Sequence, residues 1–509
     1  MDWKAINLRR LFIALAVMSL LVLGFYNQPY YPVTWFDEGL ALQGALNLVN
    51  HGQYAMRSVE GFRVLDQPLI ANGPGLVIPM AVIFKIFGVG LLQARVVAVV
   101  FFIAAALMFF RISSALYSLP SALVSILLLF SIPDEGFLFY GRQALGNVPA
   151  LMYFFIGFLL FLALGTMKQR RYAVLAGLFF GLALVTKGQY WIFVPVLGLA
   201  IAADYFYYKQ IQPINSILVL AVMLACAALW FGIQYKLVGA ENFDAHLAAL
   251  DSSTEVTILA FRPGRIPGNI WYLIRSGFLF FVGPGLILSI LGSRQRTVFG
   301  LGRFMLTVFV SVWILWFCFV SVGWPRYVFE AFSIGLVFSG EAFYQIFLFI
   351  RTSWSLREKR STGQQLSLRA SSLFLLAGLV WAGIGLFHQI KDIDVRYDAT
   401  PEKFAEYITQ NIPAGAVIES WEWEIDLLTP DHTYHHPVNR WVDLKTAETQ
   451  FGEAPGETYD PMAYHPEYLI DGPFSKWTGM YAEFLAGGCC VSVVTVENYI
   501  LYKINPREE

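Results

Sequence analysis

The sequence predicts a polytopic α-helical membrane protein that carries a small α/β domain at its C-terminal end. Of its 509 residues, 57% are hydrophobic and only 14% are charged, whereas soluble domains carry about a quarter charged residues. Apolar runs of about 20 residues, the length that crosses a bilayer, recur through the first 388 residues. Beyond residue 389 these runs stop, and charged residues, Pro, Trp and His become frequent.

The apolar runs predict about eleven membrane-spanning helices. They lie at 10–26, 91–110, 118–133, 148–167, 172–186, 189–206, 215–235, 270–291, 303–322, 327–350 and 371–388. Lys and Arg concentrate in alternate loops, which predicts a cytoplasmic N-terminus because cytoplasmic loops carry the basic excess. We therefore expect residues 1–388 to form a domain in the cytoplasmic (inner) membrane.

The first outer loop is expected to cover about residues 27–90. Its last part, 74–90, is apolar but short and contains Lys85. Counting it as a span would move every later basic cluster to the outer face. The stretch is therefore predicted to be an interfacial or re-entrant helix on that face.

Residues 389–509 are predicted to form the small α/β domain outside the cytoplasm. KFAEYITQNI has the apolar spacing of an amphipathic helix, with Phe404 and Ile408 on one face. AVIESWEWEID and CVSVVTVENYILYKI alternate as strands do. The tryptophans of the first of these segments, Trp421 and Trp423, are predicted to be core residues.

Charge and repeat structure narrow the function classes. The formal net charge is -1, so no overall field favours nucleic acid as a partner. No internal repeat is evident in the sequence, which argues against a transporter of the inverted-repeat type.

Two adjacent carboxylates, Asp37 and Glu38, follow the first apolar run. Next to hydrocarbon such a pair is costly unless it is solvated, paired or bound to a cation. This cost points to a catalytic centre in the first outer loop, with Asp37 as the principal residue and Glu38 beside it. The alternative is that one of them caps a helix at the interface, where a carboxylate suits the helix dipole.

The acidic pair and several later motifs resemble the GT-C superfamily of integral membrane glycosyltransferases. The resemblance is to the branch that contains protein O-mannosyltransferases and the bacterial aminoarabinose transferase. The motifs are spread over the membrane part, and each is short. They are Asp37-Glu38, Lys85-Ile86-Phe87-Gly88 followed by Arg95, Arg142-Gln143-Ala144-Leu145-Gly146-Asn147-Val148-Pro149, Thr186-Lys187-Gly188 and Arg326-Tyr327.

Two positions depart from the family pattern. Asn147 stands where the second motif usually has Asp or Glu, and an amide cannot act as a base. The first loop ends in Ala71-Asn72-Gly73-Pro74-Gly75, where relatives often have His or Lys before two prolines. Both departures weaken the expectation of a second acidic ligand.

The resemblance implies transfer of a sugar from a polyprenyl-phosphate donor to a hydroxyl or amine of an acceptor protein, lipid or glycan, on the outer face of the membrane. Asp37 would orient or deprotonate that acceptor. Cations would stabilise the departing lipid phosphate. The candidates on the outer face are Lys85, Arg142, Lys187, Arg326, Arg262 and Arg265. The alternative for each is that it reaches toward lipid headgroups.

Other polar residues complete the candidate site. The second outer loop supplies Asn147, Asp134 and Glu135. The sequence leaves open a divalent cation, for which carboxylate, amide and imidazole ligands are available. Its candidate ligands are Asp37, Glu38, Asn147, His51 and His246.

Two other functions remain open at this point. A transporter or flippase of lipid-linked sugars would use the same outer acids and bases for binding alone, and a degenerate family member would bind without chemistry. Ionisable residues of this chain cluster at the membrane faces rather than at the midplane, which favours the enzyme.

Overall fold

The computed structural model describes residues 15, 17–63, 72–132, 136–355, 362–453 and 457–505. The first predicted span is helical over residues 17–25. After it come α1 (Phe36–His51), α2 (Pro74–Phe87), α3 (Leu91–Leu116), α4 (Leu119–Ser131), α5 (Phe137–Gly141), α6 (Asn147–Met167), α7 (Arg170–Thr186), α8 (Phe193–Ala203), α9 (Pro213–Val238), α10 (Phe243–Ser253), α11 (Ile266–Arg275), α12 (Phe278–Ser293), α13 (Val298–Phe319), α14 (Phe329–Ser355) and α15 (Thr362–Val395). Single 3₁₀ turns at Gly188–Ile192, Pro263–Arg265 and Pro325–Tyr327 and π turns at Asp204–Tyr208 and Thr254–Ile258 connect some of them.

Local sequence explains where several helices begin. Ser118 and Thr297 cap α4 and α13, because each hydroxyl accepts a hydrogen bond from a backbone N–H of the first turn, at 3.3 and 3.0 Å. Helices α2, α4 and α9 carry proline in the first turn, where its missing N–H has no intrahelical partner. Helix α1 ends at Gly52, whose φ of 69° is the left-handed conformation that glycine adopts without strain.

By length and composition, seven helices of the described chain can cross a membrane. The number is eight if the helices over Phe243–Arg275 and Phe278–Ser293, bent by 82°, count as one span. Helices α2, α4 and α7 coincide with predicted apolar segments but have only 14, 13 and 17 residues. The multi-pass class is confirmed, whereas the count of eleven is not.

The C-terminal part contains a five-stranded sheet in the order β4-β3-β5-β7-β6. Strand β3 pairs in parallel with β4 and β5, and β7 pairs antiparallel with β5 and β6. The strands are β3 (Val417–Ser420), β4 (Thr433–His435), β5 (Tyr468–Asp471), β6 (Cys490–Val496) and β7 (Tyr499–Ile504). The helices are α16 (Thr400–Asn411), α17 (Trp423–Leu428), α18 (Asn439–Phe451), α19 (Pro473–Thr478) and α20 (Ala482–Ala486). The amphipathic helix and the last strand pair occur where the sequence predicted them.

One strand prediction is wrong in its second half. The segment AVIESWEWEID leaves the sheet after Ser420, and α17 begins at Trp423. The two tryptophans alternate in the sequence but contact different partners. Trp421 packs on Phe474, with ring centroids 5.2 Å apart, and Trp423 stacks on His436 at 3.6 Å. Both tryptophans are buried, as core residues should be.

The segment that the sequence predicted as the first outer loop joins the two parts of the molecule. Strands β1 (Met56–Ser58) and β2 (Gly61–Arg63) form a small antiparallel hairpin beyond α1. Helix α1 packs against α2 on one side and against α17 of the C-terminal domain on another. Gly39 permits the second contact, since a Cβ at this position would lie 2.6 Å from the Cα of Glu424. The C-terminal domain thus packs against the helix that carries the acidic pair.

Candidate active site at the outer ends of the helices

Asp37 and Arg326 form an ion pair between the first turn of α1 and the 3₁₀ turn before α14. Their side chains are 23% and 24% exposed. The Arg326 guanidinium also lies 4.3 Å from the ring centroid of Trp324, a cation–π contact that holds it in place. The pair is therefore partly open to solvent and to any ligand that approaches the first outer loop.

Glu38, the neighbouring carboxylate, is in a different environment. Arg95 of α3 donates to both of its oxygens, from Nε at 2.9 Å and from Nη2 at 2.6 Å. The backbone N–H of Ala144 donates to Oε1 at 2.8 Å, and both charged side chains are fully buried. Glu38 therefore connects α1 to α3 and to the segment between α5 and α6, and in this conformation it is not available to a substrate.

Arg142 is also a structural residue in this conformation. It is fully buried, and its guanidinium donates to the carbonyl oxygens of Leu23, Gly24, Tyr26 and Tyr31. These contacts close the turn between the first span and α1. Because they occupy the guanidinium, we leave Arg142 out of the donor phosphate site that the sequence predicted for it.

Lys187, Asn147 and Glu330 meet at the ends of α7, α6 and α14. Asn147 Nδ2 donates to Glu330 Oε1 at 2.9 Å, and both residues are buried. Burial lowers the pKa of Lys187, an effect that the nearby carboxylate of Glu330 opposes. The buried hydroxyl of Tyr190 has no hydrogen-bond partner among the described residues. This group supplies a partly desolvated amine that a phosphate oxygen could accept from.

The sequence analysis missed Glu330. A signal for it existed, because an ionisable residue inside an apolar run is costly and usually has a partner. Glu330 is the second residue of α14. It brings a carboxylate to Asn147, the position that departs from the family pattern.

Trp313 of α13 links the two groups. Its ring centroid lies 5.7 Å from that of Tyr190, three residues after Lys187, and Tyr327 follows Arg326 in the 3₁₀ turn. The indole of Trp313 donates to the Tyr327 carbonyl at 2.7 Å, so this turn is fixed against α13. The turns that carry Arg326 and Lys187 therefore pack on the same side chain of α13.

The segment that ends the first predicted loop packs against Lys187 and the end of α7. Asn72 forms an isolated antiparallel bridge with Lys187, and Gly73 N donates to the Thr186 carbonyl at 3.3 Å. A Cβ at Gly73 would lie 2.9 Å from the carbonyl carbon of Val185. The small residue in this departure from the family pattern is thus required by close backbone approach.

The remaining predicted cations lie elsewhere. Lys85 is exposed in the last turn of α2. Arg262 pairs with Glu453 at 2.9 Å, and Arg265 donates to the side-chain oxygen of Gln450 at 3.1 Å. Both arginines therefore connect the loop before α11 to the C-terminal domain, and their contacts do not support the predicted phosphate role. Asp134 and Glu135 lie outside the described residues.

The predicted metal ligands are not brought together. Within the described ranges, no three His, Cys, Asp or Glu side chains form a group suited to a metal ion. Asp37 and Glu38 pair with different arginines, and Asn147 bonds to Glu330. His51 lies 3.4 Å from Arg57, and His246 lies 3.3 Å from Gln234 Oε1. These residues do not fit a divalent cation in this conformation.

Comparison of the sequence with known proteins finds no relative. No protein-family model matches the chain. No curated protein matches it either.

Solved structures share the fold over the whole chain. ArnT from Cupriavidus metallidurans bound to undecaprenyl phosphate has a TM-score of 0.64 and 13% identity, covering 98% of both chains. The apo state of the same protein has a TM-score of 0.61, 14% identity and the same coverage. The oligosaccharyltransferase AglB from Archaeoglobus fulgidus, in complex with an inhibitory peptide and a dolichol-phosphate, has a TM-score of 0.55 and 13% identity. The match covers 100% of this chain and 75% of that one.

Proposed function

We propose that this chain, whose fold is that of the GT-C membrane glycosyltransferases, transfers a sugar from a polyprenyl-phosphate donor to an acceptor. The acceptor is a hydroxyl or amine, and transfer takes place on the outer face of the cytoplasmic membrane. The observation that carries the proposal is the partly exposed ion pair of Asp37 and Arg326 at the helix ends. It supports a carboxylate that acts on the acceptor beside a guanidinium that binds the phosphate.

Asp37 acts on the acceptor. An arginine partner favours the ionised carboxylate. An ionised carboxylate accepts a hydrogen bond from an acceptor O–H or N–H and thereby directs the nucleophile at the sugar. As the bond to the sugar forms, the acceptor loses its proton, and Asp37 is the acid–base group in place to receive it.

Arg326 and Lys187 act on the donor. Cleavage of the bond from the sugar to the lipid phosphate leaves charge on a phosphate oxygen, where fixed cations stabilise it. A guanidinium suits this task because it can donate two parallel hydrogen bonds. When the donor phosphate attracts Arg326, the ion pair between Arg326 and Asp37 weakens. Donor binding therefore frees the Asp37 carboxylate to accept a hydrogen bond from the acceptor.

Glu330 and Asn147 act indirectly. When its carboxyl group is ionised, Glu330 favours the protonated amine of Lys187. Asn147 bonds to Glu330 and holds that carboxylate in place. Glu38, with Arg95, positions the first turn of α1 and hence Asp37.

The molecules bound in the similar structures support a lipid-phosphate donor. ArnT contains undecaprenyl phosphate, and AglB contains a dolichol-phosphate and a peptide. One structure of the Archaeoglobus fulgidus oligosaccharyltransferase contains Zn and sulfate. The predicted ligands of this chain do not fit a metal in this conformation, so no step of the proposed reaction is assigned to one.

The test measures release of free polyprenyl phosphate from a panel of polyprenyl-phosphate sugars. It uses the full chain in lipid, with total membrane extract as acceptor. Wild type and Asp37→Asn are compared with Asp251→Asn, which changes an exposed carboxylate on α10. We expect release by wild type and by Asp251→Asn, and its loss in Asp37→Asn. Donor binding without release in any variant would instead indicate a carrier or a non-catalytic binding protein.

A further inference from the structure

A polar cavity lies between α1, the β1–β2 hairpin and the C-terminal domain, away from Asp37. Its volume is about 200 Å³. Most of its lining consists of side chains that donate or accept hydrogen bonds. Among these are Gln43, Asn47, Arg57, Asp426, His432 and Tyr434. None of the residues in the proposed reaction lines it.

The wall of the cavity is held by buried polar contacts. Gln43 Nε2 donates to Asp426 Oδ2 at 3.0 Å, and His436 Nε2 lies 3.2 Å from the same oxygen. Asn47 Nδ2 donates to the carbonyl of Ala55 at 2.9 Å. Gln43 and Asn47 are fully buried on a helix whose other buried positions are mostly apolar. Burying such groups costs free energy unless hydrogen bonds offset it. These hydrogen bonds therefore stabilise the polar wall of the cavity.

Acceptor atoms remain unused around this cavity. Asp426 Oδ1 takes part in neither of the contacts just described. Asn47 Oδ1 and His432 Nδ1 lack a hydrogen-bond partner within the described part of the chain. His432 Nε2 faces the carbonyl of Ile412 at 3.1 Å, so the proton lies on Nε2 and Nδ1 accepts. Both unpaired atoms are covered from solvent, on residues that line the cavity.

The lining selects the chemistry of a ligand. An anion such as phosphate would meet the carboxylate of Asp426, and an acyl chain would leave the amides and the Arg57 guanidinium without partners. Neighbouring hydroxyl groups satisfy both the donor and the acceptor atoms of the lining, because each hydroxyl donates one hydrogen bond and accepts others. A sugar ring presents several such hydroxyls in fixed positions.

We propose that this cavity is a subsite for a sugar ring of a glycan acceptor, an inference that rests on the proposed function. Gln43 and Asn47 follow Asp37 by six and ten residues on α1, or about 9 and 15 Å at about 1.5 Å per residue. A ring in the cavity therefore lies beyond the ring that reacts at Asp37. The acceptor spans both places and binds the C-terminal domain through Asp426 and His432.

The experiment detects binding without turnover. Saturation-transfer NMR is recorded on the full chain in lipid nanodiscs with methyl glycosides of glucose, mannose and N-acetylglucosamine. Val59→Trp fills the cavity from the hairpin that lines it. Val493→Trp makes the same change on the exposed strand β6 and serves as the matched control. Asp37→Asn tests whether binding is independent of the reacting carboxylate.

Saturation transfer to at least one glycoside is expected in wild type, Asp37→Asn and Val493→Trp. Val59→Trp should bind that glycoside about tenfold more weakly, equivalent to about 1.4 kcal/mol. Asn47→Leu, which removes an amide and leaves the cavity open, should weaken binding in the same direction. The unfolding temperature of each variant checks that the chain is folded.

Three results would overturn the subsite. The first is that no glycoside receives saturation, as expected if water alone fills the cavity. The second is that Val59→Trp binds as wild type does. The third is that Asp37→Asn abolishes binding, as expected if the ring is that of the donor sugar. Failure of the proposed function is separate. Glycoside binding together with unimpaired sugar transfer by Asp37→Asn would refute the role of Asp37 and leave the subsite in place.

Discussion

Arg95 holds both carboxylate oxygens of Glu38 in a fully buried ion pair, across a separation of 57 residues in the chain. Asp37, the adjacent residue, pairs instead with Arg326, which is 289 residues away. Two neighbouring carboxylates therefore have different environments. One is a structural connection, and the other is partly open to substrate.

Glu38→Gln is expected to destabilise the protein strongly. Removing one charge of a buried pair leaves the other uncompensated, and such changes typically cost about 3–5 kcal/mol. The unfolding temperature in detergent or nanodiscs should fall, and Arg95→Met should lower it similarly. A Glu38→Gln protein as stable as wild type would contradict the structural role.

Asp37→Asn is expected to lower activity strongly and stability only slightly. Its pair is more exposed than that of Glu38 and should contribute less to stability, whereas loss of an acid–base group lowers rate by roughly 10²–10⁴-fold. Sugar transfer and unfolding temperature are measured on the same preparation. A loss of activity that merely follows a loss of folded protein would refute a direct role.

Glu330→Gln is expected to narrow the pH range of donor binding. Lys187 binds phosphate only when protonated, and burial already lowers its pKa. Removing the opposing charge of Glu330 lowers that pKa further, so donor affinity should decline at a lower pH than in wild type. The measurement is the donor dissociation constant as a function of pH.

Glu341→Gln is the control for this experiment. It removes a carboxylate from the same helix, where Glu341 accepts from Ser121 and Gln345. Its pH profile should match that of wild type. A profile for Glu330→Gln identical to that of the control would show that Lys187 and Glu330 are not coupled in donor binding.

Asp443 should make stability pH-dependent. Burial raises its pKa from an ordinary 3.8 to about 7, and the hydrogen bond from Ser253 at 2.7 Å only partly opposes this. Between these pH values the folded protein retains a proton that the unfolded chain has lost. Stability therefore falls as pH rises through this window and is constant above it.

Asp443→Asn removes this penalty. The unfolding temperature of the variant is compared with that of wild type at each pH. The difference should favour the variant more at pH 8 than at pH 5. Ser253→Ala removes the hydrogen bond and leaves the carboxyl group in place, so it should lower stability more at pH 8 than at pH 5. A constant difference between Asp443→Asn and wild type at both pH values would contradict the prediction.

Gly39→Ala should separate α1 from the C-terminal domain. A Cβ at this position meets the backbone of α17, 2.6 Å from the Cα of Glu424, and backbone atoms cannot move aside as a side chain can. We expect lower stability and faster proteolysis between the two parts. Gly198→Ala, in α8 where no atom lies within 4 Å of the added Cβ, should behave as wild type.

The sequence could indicate Asp37 but not the arrangement around it. Short motifs singled out Asp37, Lys187 and Arg326 because their types and positions at a membrane face suggest phosphate and acceptor chemistry. The same criterion also selected Arg142, Arg262 and Arg265, which contact backbone carbonyls or the C-terminal domain instead. The five cations share their charge and their predicted membrane face, so the sequence alone cannot separate them.

The sequence by itself determined the membrane class, the small C-terminal α/β domain and the choice of the acidic pair after the first apolar run as the candidate site. It could do so because solvation acts on every segment separately, so that apolar runs and a change in composition are readable locally. Only the tertiary structure decided that Glu38 is buried against Arg95, that Glu330 meets Asn147, and that Trp423 begins a helix. Each of these depends on partners far away in the chain, and long-range pairing leaves no periodic signal in the residues that take part in it.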